Sequence, residues 1–162
     1  MRRRLLLAWG YFGEGVLAAI VYWEIMSHSG PTRVRDFIGG TSGMWIALTT
    51  VLLGMGLAIL VAFASFLSKP FGAYLRWADA VTPFTYAFAV ATGVFFTTTV
   101  ALIIAAWSKD DTTARISLFL LLYAGANFVS MIQNLVGLYR LHVQFEESME
   151  SERGSQRLSR EE

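Results

Sequence analysis

Residues 44–67 read MWIALTTVLLGMGLAILVAFASFL, twenty-four positions without a single Asp, Glu, Lys or Arg. About 20 apolar residues in a helix cross the hydrocarbon core of a bilayer. This run is therefore read as a membrane span, and it sets the terms for the rest of the chain. Three further runs of comparable length flank it: Leu5–Met26, Pro83–Trp107 and Ile116–Tyr139, of 22, 25 and 24 residues. The composition agrees, with 55% hydrophobic and only 15% charged residues, against roughly a quarter charged in an average soluble domain. So much clustered apolar surface excludes a disordered chain.

The sequence predicts an all-α integral membrane protein, a four-transmembrane-helix bundle over residues 1–139 followed by a cytoplasmic amphipathic tail over 140–162. The tail is too short for a folded catalytic domain. Leu5–Met26 is read as a retained first helix rather than a signal peptide. Glu14 interrupts the run, the apolar stretch is long, and no A-x-A site follows.

The cations set the orientation. Arg2, Arg3, Arg4, Lys69, Arg76, Arg140, Arg153, Arg157 and Arg160 fall on one side of a four-span chain, and Arg33, Arg35, Lys109 and Arg115 on the other. Positive residues favour the cytoplasm, so both termini are expected there. Trp9, Tyr11, Tyr22, Trp23, Trp45, Tyr74, Trp77, Trp107 and Tyr139 all lie near span ends, as an interfacial aromatic belt requires.

Between the spans, Gly30-Pro31 and Gly39-Gly40 are turn signals in a first loop over Ser27–Gly43. Thr41 or Ser42 is the expected N-cap of the second span. Phe71, Tyr74, Leu75, Ala78 and Val81 recur at one-sided helical spacing behind Pro70. That pattern predicts a short helix in the cytoplasmic interface, broken at Thr82-Pro83. Asp110, Asp111 and Thr112 are placed to cap the fourth helix. The tail continues that helix with an apolar stripe of Leu141, Phe145 and Met149, a candidate partner contact, and is expected to become disordered from Gly154. Small residues Ala47, Gly54, Ala58 and Ala62, extended by Thr50 and Ser65, mark a face of span two. Ala87, Ala91, Thr98 and Ala105 mark one of span three. Contact between the two spans along these stripes is predicted, because close backbone approach drives association in lipid.

Glu14 is the residue most in need of an explanation. It lies about 14 Å along its helix from Leu5, near mid-bilayer. An ionised carboxylate at that depth costs several kcal/mol unless it is neutralised, paired or open to a polar cavity. Gly10, Gly13 and Gly15 beside it leave room for another helix, water or a ligand. Span four carries a matching polar set, Asn127, Ser130, Gln133 and Asn134. Glu14 is expected to face Asn127, with Ser130 and Asn134 continuing the stripe toward the cytoplasm and Glu24 and Gln133 as secondary members. A proton- or cation-linked site and plain interhelical hydrogen bonding both fit these residues. Thr92, Thr97, Thr98 and Thr99 are read as bonding back to their own helix.

Other chemistry finds little footing. Cysteine is absent. His28 and His142 fall outside the spans on opposite sides, so no metal or haem site is expected. No phosphate-binding glycine motif occurs, and no cofactor or nucleic-acid partner is implied. Gly40-Thr41-Ser42-Gly43 is similar to the serine motif of rhomboid proteases, but no span supplies a histidine base, and a serine without one is not activated. Glu14 resembles the carboxylate in the first span of small multidrug-resistance transporters, without their later signatures. Thr92-Gly93 with Thr97-Thr98-Thr99 resembles the Thr-rich break of fluoride channels, without their span-one Arg and span-two Asn. The residues point to a non-catalytic subunit or assembly factor of a larger membrane complex, touching lipid and other membrane subunits or copies of itself. A small oligomeric channel or proton-coupled transporter using Glu14 is the alternative.

Overall fold

The computed structural model describes the backbone of residues 2–161 and the side chains of residues 13–151. Among the described residues the chain is entirely helical, with four helices: α1 (Arg2–Phe66), α2 (Pro70–Trp77), α3 (Val81–Ser108) and α4 (Asp111–Glu161). Three of them, α1, α3 and α4, are long and apolar enough to cross a membrane.

α1 is two helices joined at one residue. Gly30 sits at φ 70°, ψ 168°, and Pro31 follows it. Only glycine takes that φ without strain. Proline has no N–H to lose at the start of a helix but would break one from inside. The pair therefore ends the arm over 2–29 and opens the arm over 31–66. Ser27 Oγ donates to the Glu24 carbonyl of the preceding turn at 2.8 Å, near the first arm's end.

The loop expected over Ser27–Gly43 thus shrinks to the break at Gly30. Gly39 and Gly40 lie within the helix, and a Cβ added at either would meet nothing within 4 Å. Two interior glycines cost about 1 kcal/mol each. The burial of Val34 and Ile38 among Leu102, Ala105, Ala114 and Leu118 offsets that cost. Thr41 and Ser42 are not N-caps either. Thr41 Oγ1 donates to the Phe37 carbonyl and accepts from Trp45 Nε1, and Ser42 Oγ donates to the Gly39 carbonyl.

Contact registers fix the helix directions. Thr49, Gly56 and Phe63 meet Thr99, Thr92 and Phe88 in descending order, so the arm 31–66 is antiparallel to α3. Ser117 Oγ donates to the Ala101 carbonyl and Thr98 Oγ1 to the Leu120 carbonyl, so α3 and α4 are antiparallel. Glu14 meets Ser130 and Tyr22 meets Phe119, so the arm 2–29 is antiparallel to α4. The two arms of α1 consequently run in opposite directions.

The core positions recur every seven residues. They are Thr49, Gly56 and Phe63 in the second arm, Phe88, Phe95 and Leu102 with Ala91, Thr98 and Ala105 in α3, and Ser117, Ala124, Met131 and Leu138 in α4. A seven-residue repeat is the signature of left-handed, knobs-into-holes packing. The predicted small face of α3 is therefore inside the bundle, but Thr98 on it reaches α4, and the second arm is met through Phe88, Thr92 and Thr99. The predicted face of that arm is not the one used. Ala47, Thr50, Gly54, Ala58, Ala62 and Ser65 are all exposed. Thr49, Gly56 and Phe63 make the contact instead, because the ring of Phe63 fills space between α3 side chains that alanines cannot reach.

α2 starts at Pro70, as the proline position predicts. It folds back tightly on the end of α1. A Cβ on Gly72 would lie 2.4 Å from the Leu67 carbonyl oxygen, and Arg76 Nη1 donates to that same oxygen at 2.9 Å. The helix ends at Trp77, earlier than the expected break at Thr82-Pro83, with Asp79 beyond it at φ 53°, and Pro83 falls in the first turn of α3, where it is tolerated. Asp110 Oδ2 accepts the N–H groups of Thr112 and Thr113 at 3.0 and 3.2 Å and so caps α4. From Gly154, where the composition suggests disorder, the α4 backbone remains helical to Glu161. Glu, Arg and Gln are good helix formers, and no proline interrupts them.

Candidate functional site

Glu14 faces α4, as its depth in the first span predicts, but the residue it meets is Ser130. Ser130 Oγ donates to Glu14 Oε1. Asn134 Nδ2 donates to the Ser130 carbonyl at 2.8 Å, one turn further along α4. Ser130 is thus bonded through its side chain to α1 and through its backbone to Asn134.

Asn127 takes no part in that bond. It is only 1% exposed, and its Nδ2 donates to the Tyr123 carbonyl of its own helix at 3.0 Å. The reason lies in helix geometry. Ser130 lies about 60° around α4 from Asn127, so the two side chains address different neighbours. Asn127 shares the central seam with Ala124 and Met131, whereas Ser130 turns toward the first arm.

Two oxygen atoms at this level have no hydrogen-bond partner. Glu14 Oε2 and Asn127 Oδ1 are both buried. A buried acceptor with no donor carries a desolvation penalty of about 1–3 kcal/mol. Gly15 brings α1 close to α4 here, with Tyr123 Cε2 3.9 Å from its would-be Cβ, while Gly13 has open space.

The secondary candidates separate from this group. Glu24 is exposed and lies 3.4 Å from His28 on its own helix. Gln133 is exposed on the outer face of α4. Leu141 and Phe145 pack within the chain, Phe145 lying 5.7 Å from the Phe71 ring and 5.5 Å from the Tyr74 ring, and Met149 is half-buried. His142 joins them, its ring 4.8 Å from Phe71.

The threonines bond back as expected: Thr92, Thr97, Thr98 and Thr99 donate to the carbonyls four residues earlier. Two also reach across helices. Thr99 Oγ1 lies 2.9 Å from Thr49 Oγ1 and Thr98 Oγ1 lies 3.2 Å from the Leu120 carbonyl, so each hydroxyl shares its one hydrogen between its own helix and a neighbour. Sequence reasoning missed Thr49, although its seven-residue spacing to Gly56 and Phe63 is a signal that could have found it.

At the other end of the bundle, Arg35 Nη1 lies 3.2 Å from Asp111 Oδ1, tying α1 to the start of α4. Charge counting used Arg35 only to orient the chain. Among the described residues, no three His, Asp or Glu side chains gather to hold a metal ion. The side chains that meet are a carboxylate and a hydroxyl, with the Asn134 amide on the Ser130 backbone carbonyl, a set suited to hydrogen bonding or to holding a proton. Comparison with protein-family models, characterised sequences and solved structures finds no match.

Proposed function

We propose that this chain is a non-catalytic integral membrane protein that serves as an accessory or assembly subunit of a larger membrane complex. In this reading both arms of α1, α3 and α4 cross the bilayer, making a four-transmembrane bundle. Their opposed directions support four crossings, and the nine-to-four cation distribution supports cytoplasmic termini. α2 lies at the cytoplasmic surface, with Trp77 82% exposed at headgroup level.

The observation that carries the subunit reading is the amide of Gln133, exposed on the bundle surface about 9 Å inside Tyr139. An amide facing hydrocarbon is costly, and a neighbouring helix that hydrogen-bonds it removes the cost. Native mass spectrometry of the tagged protein, released gently from its own membrane, tests this. Different membrane proteins retained at a fixed ratio support the reading. A clean homo-oligomer with nothing else bound overturns it.

The second reading is proton- or cation-coupled transport through Glu14. It is favoured by the two unpartnered buried oxygens, Glu14 Oε2 and Asn127 Oδ1. Liposome flux that is lost in Glu14→Gln, with insertion and folding intact, supports it. Absence of flux in the wild type overturns it.

A further inference from the structure

Beside the Arg35–Asp111 bridge, α1, α3 and the start of α4 line an open pocket of about 380 Å³, within the size range of small-molecule sites. Its floor is small and apolar: Ile38, Gly39, Gly40, Ala105, Ala106 and Ala114. Its rim carries Arg35, Asp36 and Lys109. Trp107, 86% exposed, marks the adjoining surface as the headgroup level of the bilayer.

The rim charges are unequally satisfied. Arg35 uses Nη1 toward Asp111, and Nε and Nη2 toward Asp36 Oδ1, both at 3.3 Å. The two hydrogen bonds to Asp36 and the ion pair with Asp111 hold its guanidinium between two carboxylates that share its one charge. A guanidinium has five N–H donors, so two remain. Lys109 has no counter-ion among the described residues. It occupies the left-handed cap of α3 at φ 51°, with its N–H bonded to the Ala105 carbonyl, so the backbone that aims it is fixed.

We propose that this cavity binds the phosphate of a membrane phospholipid headgroup. Lys109 supplies a cation held in no ion pair among the described residues, Arg35 supplies the two spare donors, and the floor at Gly39-Gly40 and Ala105-Ala106 admits the glycerol and the start of an acyl chain. An anchored cation, a second donor and an apolar trough at the membrane surface suit an amphiphilic anion better than a soluble one. The proposal rests on the bilayer placement but not on the subunit or the transport reading.

Native mass spectrometry of the full chain in detergent, with phosphatidylglycerol added, tests it. One lipid retained per chain is expected. Lys109→Asn should reduce retention about ten-fold, since asparagine keeps the left-handed cap and removes the charge. Gly40→Leu, which has open space to grow into the cavity, should reduce it as well. Arg33→Gln, which removes a charge at the same end but outside this cavity, should leave it unchanged. Equal retention of diacylglycerol with the same chains overturns the proposal, as does unchanged retention in Lys109→Asn. Displacement of the lipid by millimolar inorganic phosphate also overturns it and assigns the site to a free anion. Failure of the membrane reading shows itself separately, as a chain that stays monodisperse without detergent.

Discussion

Ser130 Oγ donates its hydrogen bond to Glu14 Oε1 between α4 and the first arm of α1, joining residues 116 positions apart. The acceptor belongs to a carboxylate whose other oxygen is buried with no partner. Ser130→Ala therefore leaves both carboxylate oxygens unsatisfied. The expected loss is about 1–2 kcal/mol, above the ~0.6 kcal/mol average for interhelical bonds in membranes because the acceptor is a carboxylate. Thermal unfolding in detergent, compared with Asn134→Ala, checks this. A smaller loss for Ser130→Ala than for Asn134→Ala would show that Glu14 draws its support from elsewhere.

Gly56 and Gly54 lie on opposite faces of the second arm, and they should respond in opposite ways. A Cβ on Gly56 would sit 2.6 Å from Thr92 Oγ1 and 3.5 Å from the Thr92 Cα, whereas one on Gly54 meets nothing within 4 Å. Gly56→Val is expected to cost about 1–3 kcal/mol through overpacking. Gly54→Val should leave the melting temperature of the isolated chain nearly unchanged. The same pair bears on assembly. If another helix covers the outward face, Gly54→Val lowers recovery of the complex from membranes while the isolated chain stays as stable as wild type.

What the sequence discloses follows from how local each signal is. Apolar run length is a property of each segment alone, so the long apolar helices α1, α3 and α4 were legible. So were Pro70 as a helix start and Asp110 as a cap, since both act within four residues. Which side of a span faces inward was not legible from small residues, because packing in lipid rewards fit between two helices. Phe63 fits and Ala62 does not, and only the partner helix decides that. The pairing of Glu14 was half legible. Depth and polarity selected α4, but the choice of Ser130 over Asn127 depends on a rotation of about 60° around that helix. Continuity through Gly39-Gly40 was hidden too, since burial of Ile38 outweighs two glycines only once α3 and α4 are in place.

Gly72 is required by the turn it occupies. Its would-be Cβ lies 2.4–2.6 Å from Leu67 backbone atoms, which cannot rotate away as a side chain does. Gly72→Ala should force α2 off the end of α1, disrupting the bond from Arg76 Nη1 to the Leu67 carbonyl. The expected cost is about 2 kcal/mol or more, within the range for strained backbone and overpacking. Leu67–Trp77 should become cleavable by a protease added on the side of the membrane where α2 lies. Limited proteolysis of the wild type and Gly72→Ala in proteoliposomes reads this directly, and equal resistance would show that the backbone can shift at little cost.

The contact between α2 and the tail makes a separate prediction. Phe145 places its ring near both Phe71 and Tyr74, and Leu141 packs against the same cluster. This stripe is the surface that sequence spacing marked for a partner. Within the chain it is already occupied on one side, while Glu146, Glu147 and Glu150 face outward. Phe145→Glu would place a carboxylate against two aromatic rings. Aromatic pairs contribute about 0.5–1.5 kcal/mol beyond their buried area, so α2 should loosen while the membrane bundle stays folded. Hydrogen exchange should then rise over Pro70–Trp77 and over the α4 segment after 140, and stay unchanged at Thr92–Thr99. Rescue by Phe145→Leu, which restores apolar packing without the ring, would separate burial from ring contact. Exchange rising throughout α3 would show that the tail supports the whole bundle and does more than hold α2 in place.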